Sequence, residues 1–269
     1  MKARAWLLAA PLLLASGLSA EDFAVRTFSL DKVKLVRVRT DSGVVKVRGE
    51  DVAKARVSVL GDTQDCDITT EVKADELVLT AKGKKGSLWG TKDCRAGFEV
   101  EVPGSLALDA ATGSGEIEVS DMKSGVDAGA GSGDIKLEGV AGPVSLKTGS
   151  GRILGDAASE KVDVKMGSGG LKLTGLLGSA FVKSGSGDVR LIWAKAPRQG
   201  EADVKVGSGD VTLEFPDNVK LEARVLTGSG SFNNELGSTA GAGFSVAVKG
   251  GSSDVSIRKA REARPESDR

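Results

Sequence analysis

Lys147, Lys165, Lys183 and Lys205 recur at intervals of 18, 18 and 22 residues, and Lys136, Lys172 and Arg190 sit in the same repeating units. Cations repeated at a fixed interval can stack into a column, where mutual repulsion is relieved by an anion. Their plainer role is to keep a long flat sheet soluble, with Asp163 and Asp203 as partial compensation.

The acids offer a second chemistry. After each GSG tripeptide comes Glu116, Asp134, Arg152, Gly170, Asp188, Asp210 or Ser231, so only Asp188 and Asp210 put aspartate in adjacent units. A turn aspartate accepts backbone N–H bonds, whereas glycoside hydrolysis needs a matched pair of carboxyls across one bond. The chain has no His, which removes the commonest general base and metal ligand. Calcium-binding β-rolls also build an 18-residue coil, but from G-G-x-G-x-D-x-U-x units. Here the aspartate follows GSG directly and gives way to Arg152 and Gly170. No catalytic residue, metal site or cofactor is expected.

Cys66 and Cys94 are the chain's two cysteines. In an exported protein an even pair reads as a disulfide, closing a loop of about 30 residues and stabilising by about 3 kcal/mol on the chain-entropy model. Two free thiols or a redox pair are the alternatives. No CxxC spacing or neighbouring His supports a redox role.

The elements that position these side chains follow from the repeat. GSG begins at Gly113, Gly131, Gly149, Gly167, Gly185, Gly207 and Gly228, and a degenerate GGSS begins at Gly250. A period of 18 residues that later widens to 21 or 22 marks stacked coils with small corner insertions. Before each GSG, alternate positions are mostly apolar (Val144, Leu146; Val162, Val164; Ala180, Val182), and so they are after it (Leu171, Leu173; Val189, Leu191). Period two means strands with one face inward, and the lysines occupy the outward positions. Glycine suits the corner by allowing positive φ or close approach to the next coil, and the serine between the glycines could bond the local backbone or its neighbour.

The expected fold is all-β: a parallel β-helix, or β-solenoid, of stacked 18–22-residue coils with an N-terminal β cap. The organisation expected is a signal peptide at 1–20, an N-terminal β region and disulfide-bearing cap at 21–105, a GSG-repeat solenoid at 106–258 and a charged tail at 259–269. "VRVRTDSGVVKVRGE" (36–50) reads as a worn copy of the repeat, and Pro103 and Pro216 fall in matching segments (99–119 and 210–230), which places them at the same kind of corner.

Residues 1–20 combine basic Lys2 and Arg4, an apolar run and small residues, the pattern of a secretory leader. No later stretch reaches the roughly 18–20 apolar residues of a membrane span. The location implied is secreted, periplasmic or at the cell surface. The 37 basic residues balance 37 acidic ones, so general attraction to nucleic acid is not expected. Aromatics are scarce. Phe181, at an outward position, and Trp193, in a loop, are the candidates for exposed contacts.

The stretches "AGAGSGDIKL", "SGSGDVRL", "VGSGDVTLEFP" and "LTGSGSF" resemble the bacterial "putative adhesin" β-strand-repeat family, a domain of unknown function with iterated GSGD-type units behind a secretion signal. The resemblance covers about Val33 to Ile257. It implies a right-handed β-helix and an envelope location, and supplies no catalytic residues. The expectation is a non-enzymatic envelope module for adhesin-like binding or scaffolding. Its partners would be envelope polysaccharide, lipopolysaccharide or another envelope protein. The alternative is a polysaccharide-active β-helix enzyme, a lyase or hydrolase.

Overall fold

A computed structural model describes residues 25–86 and 90–260, and every regular element in them is a β-strand. The leader at 1–20, Trp89 and residues 261–269 of the tail lie outside the described residues. The strands form one 12-stranded and one 11-stranded sheet. Two antiparallel strands end the first sheet and one ends the second. The remaining ten strands in each sheet run parallel, one pair per coil.

Inward residues stack on their equivalents in neighbouring coils. Val144, Val162, Ala180, Ala202 and Val246 form one ladder in the second sheet. Ile117, Ile135, Ile153, Leu171, Val189 and Val211 form its counterpart in the first. All are buried in one continuous core, each large aliphatic stabilising by about 1.5–3 kcal/mol. One coil alone could not cover its apolar face, so stability comes from the stack.

In space the coils depart from chain order at both ends. The coil of Leu35–Thr40 and Val45–Glu50 lies between that of Glu76–Gly83 with Gly97–Pro103 and that of Ala107–Thr112 with Ile117–Ser120. At the other end, Phe244–Ser252 with Val255–Lys259 lies between Gly200–Ser208 with Val211–Phe215 and Leu221–Ser229 with Phe232–Asn234. The chain skips one position and returns to fill it. Pro103 and Pro216 do share a corner type: each carbonyl accepts an N–H three residues on, from Leu106 at 3.1 Å and Val219 at 3.2 Å.

The N-terminal end coil is covered along both edges. Lys54–Leu60 pairs antiparallel with Gly97–Pro103, and Cys66–Lys73 with Glu76–Gly83. The Cys66–Cys94 disulfide ties this excursion to the end coil. This cover pairs the end coil's own edges, so that Arg26–Ser29 and Cys66–Lys73, not strands of the parallel stack, are the terminal strands at this end.

The GSG corners join the two sheets, and close approach is what demands glycine. A Cβ on Gly131 would stand 2.4 Å from the carbonyl oxygen of Gly113 in the coil before. The serine N–H groups bond across coils, Ser132 to Gly113 O at 3.0 Å and Ser168 to Gly149 O at 2.9 Å. The local side-chain bond comes instead from the threonine before the corner: Thr112 and Thr148 Oγ1 accept from Gly115 and Gly151 N–H, each at 2.9 Å.

Candidate functional site

The register of the second sheet places Lys147, Lys165, Lys183 and Lys205 side by side on successive coils. The column gains a fifth member, Lys249, which pairs in register with Lys205. Coils in a parallel stack are about 4.8 Å apart, so the backbone positions of the five lysines span about 19 Å along the solenoid axis. Lys249 escapes a reading that starts the degenerate corner at Gly250, because it is Gly251 that packs on Gly207. Two residues beyond each lysine runs the bare glycine column, and Lys165, Lys183, Lys205 and Lys249 line a groove of about 700 Å³ over Gly167, Gly185 and Gly207.

Beside the lysine column stands a second outward column, two residues earlier in each strand: Asp127 (before Gly129), then Ser145, Asp163, Phe181, Asp203 and Ala247 before the five lysines. Lys147 pairs with Asp127 at 3.8 Å, Lys165 with Asp163 at 3.9 Å and Lys205 with Asp203 at 2.7 Å. Among the described residues no carboxylate lies within 4.0 Å of Lys183 or Lys249, because Phe181 and Ala247 occupy the aspartate positions beside them. Phe181 is half-buried on this face.

Lys136, Lys172 and Arg190 belong to the other sheet and face away from the lysine column. Leu154 interrupts them, pairing between Lys136 and Lys172. Lys136 is engaged by Glu116 and Glu118, and Arg190 by Glu214. They therefore do not extend the column. Glu214 is almost fully buried between Arg190 and Arg258, each 2.8 Å from Oε1. Burial pushes its carboxyl up, but the guanidinium bonds from Arg258 and Arg190 prevail and hold it below the usual range.

That face also carries a hollow of about 640 Å³ with Glu99, Glu101, Glu118, Glu138 and Asp156 on its walls. A glycosidase acid must be raised so that it holds its proton. Glu118 is displaced the other way, held down chiefly by its hydrogen bond from Lys46, 2.9 Å away. The corner acids are structural acceptors. Asp188 takes the N–H of Asp210 at 2.9 Å, Asp210 that of Asp254 at 3.3 Å, and Asp254 that of Ser231 at 2.7 Å. Asp134 takes that of Arg152 at 2.7 Å, the main cause of its lowered pKa.

Trp193 is not in an exposed loop. It is buried at 1% exposure, stacked on Phe215 with ring centroids 4.2 Å apart, and its indole N–H donates to Gly178 O at 2.8 Å. The strand's inward alternation runs from Val189 through Leu191 to Trp193 and carries the indole into the core.

The fold and the column together define a β-solenoid repeat protein that presents a periodic basic groove. The chain belongs to the Toastrack DUF4097 family, whose model matches residues 34–260. Among solved structures it is similar to a "putative lipid binding protein" from Parabacteroides distasonis (15% identity, 88% of this chain, 96% of that one, TM-score 0.48). It is also similar to a "putative adhesin" from Bacteroides fragilis (12% identity, 90% of this chain, 98% of that one, TM-score 0.47). No curated protein matches the chain.

Proposed function

We propose that the protein is a non-enzymatic, adhesin-like binding module of the cell envelope, exported by its N-terminal leader, that holds anionic envelope material on the outer face of the lysine-bearing sheet. The observation that carries this reading is the in-register column Lys147, Lys165, Lys183, Lys205 and Lys249, with only three aspartates beside it. Five like charges about 4.8 Å apart repel one another unless an anion lies along them. A long open groove with a glycine floor suits an extended ligand better than a small enclosed substrate.

The test is co-sedimentation of the mature protein with peptidoglycan, lipopolysaccharide and outer-membrane vesicles at low and high salt. A variant with all five lysines replaced by Gln runs beside it. Salt-sensitive binding lost in the variant supports the reading. Equal binding by the two proteins returns the column to a solubilising role.

A further inference from the structure

The five lysines are not equivalent. Three are matched by Asp127, Asp163 and Asp203, which leaves two positive charges concentrated at Lys183 and Lys249. These two lie two coils apart with Lys205 between them, a separation of about 9.6 Å along the solenoid axis. That is the reach of two pyranose rings in an extended glycan. At the first of the two positions the aspartate is replaced by Phe181, which pairs in register between Asp163 and Asp203 and lines with them a hollow of about 180 Å³ beside Lys165, Lys183 and Lys205. A half-buried aromatic beside a cation offers an apolar platform for the C–H face of a sugar and a charge for its acidic group.

We infer that the groove recognises a linear acidic polysaccharide carrying one acidic group per disaccharide, lying along the solenoid axis with its acidic groups on Lys183 and Lys249 and a sugar ring on Phe181. This rests on the reading of the lysine column as the binding face and goes beyond it in naming the ligand's charge period. A polymer with an acidic group on every sugar would set carboxylates against Asp163 and Asp203 as well as against the free lysines, and like charges at that distance repel. The phosphates of a lipid headgroup layer spread in a plane and have no reason to match a two-coil interval.

The test uses fluorescence anisotropy with end-labelled hyaluronan oligosaccharides, which carry one carboxylate per disaccharide. Oligogalacturonate of the same length, with one per sugar, and lipopolysaccharide vesicles serve as the other arms. Four proteins are compared: wild type, Phe181→Asp with Ala247→Asp, Asp163→Asn with Lys165→Gln, and the variant with all five lysines changed to Gln. The first double variant keeps every lysine and supplies the two missing aspartates, and it should bind hyaluronan at least about tenfold more weakly, the effect of two exposed charge contacts. The second removes one matched pair without changing local charge; its lysine belongs to the same face, so some affinity is lost, but the loss should be clearly smaller than that of the first double variant.

Circular dichroism melts of each variant show whether it is folded. Tighter binding of oligogalacturonate, binding of vesicles alone, no binding of hyaluronan by wild type, or equal losses in the two double variants each overturn the inference. If the five-lysine variant binds hyaluronan as well as wild type does, the binding face itself is wrong. Loss in that variant with equal losses in the doubles spares the face and rejects only the charge period.

Discussion

A Cβ atom on Gly133 would stand 1.7 Å from the carbonyl oxygen of Gly115 in the coil before it. Backbone lies on both sides of that contact, so neither partner can rotate away. Gly133→Ala is expected to destabilise the protein by about 3 kcal/mol or more, at the upper end of overpacking costs. Gly129 is the control: a Cβ there meets nothing nearer than 4.0 Å, and Gly129→Ala should stabilise slightly, by about 0.5–1 kcal/mol, by restricting the unfolded chain. Urea denaturation of the two variants beside wild type measures both effects.

The Cys66–Cys94 bridge closes a loop with a sequence separation of 28. On the chain-entropy model its loss removes about 3–4 kcal/mol. Because coils in a stack contact mainly their neighbours, the loss should fall on the end coil and its antiparallel cover. Cys66→Ser with Cys94→Ser is expected to raise hydrogen exchange in Cys66–Lys73 and Glu76–Gly83 while Lys161–Ser168 stays protected. Uniform exchange across the molecule would show that the end coil is not a separate cooperative unit.

The periodic interior was legible in the sequence because each coil repeats its inward apolar pairs, as Val162 and Val164 repeat Val144 and Leu146. The spatial order of the end coils was not. Residues 35–50 and 244–259 have the same inward alternation as every other coil, and nothing local in a strand says which edge it will pair with. Lys249 was hidden by the same degeneracy, since a corner written GGSS can be aligned in two ways and only the packing of Gly251 on Gly207 chooses one. Trp193 was misplaced by reading its strand as ending at Leu191, although one more alternate step leads inward. The division of the lysines into matched and unmatched ones depends on cross-strand neighbours at Phe181 and Ala247, whose meaning appears only once the register is fixed.

Acid should loosen the corners. Backbone N–H donation holds Asp134 and Asp254 below the usual aspartate value, and ion pairing does the same for Glu118. A carboxyl lowered in the folded state contributes stability above its unfolded pKa, and that contribution is lost as pH falls through the folded value. Stability should therefore be level from neutral pH down to about pH 4.5 and decline below about pH 4. Asp134→Asn with Asp254→Asn should flatten part of that decline. A melting temperature that fell between pH 7 and 5 would contradict this assignment, since no described group is a histidine.

Glu214 links three coils, accepting from Arg190 on one side and Arg258 on the other. Arg258 lies in Val255–Lys259, part of the coil that returns to fill the skipped position. Glu214→Gln keeps the volume but removes the charge that both guanidinium groups share, and should cost about 1–3 kcal/mol, as expected for charged hydrogen bonds at a buried acceptor. If the returning coil depends on this link, hydrogen exchange in Val255–Lys259 should rise before that in Ile153–Ala158.

The lysine column can also be lengthened. Gly129 pairs in register with Lys147 on the outward face, and its position has room for a side chain. Gly129→Lys should add a sixth cation, which would share Asp127 with Lys147. If total charge governed binding, an anionic polymer would bind the variant more tightly and with a steeper salt dependence. If the two-coil interval between Lys183 and Lys249 governs it, the new lysine, three coils from Lys183 and outside that interval, should change affinity for hyaluronan oligosaccharides by less than about twofold. Titrations of both proteins at two salt concentrations separate a face that counts charges from one that reads their spacing.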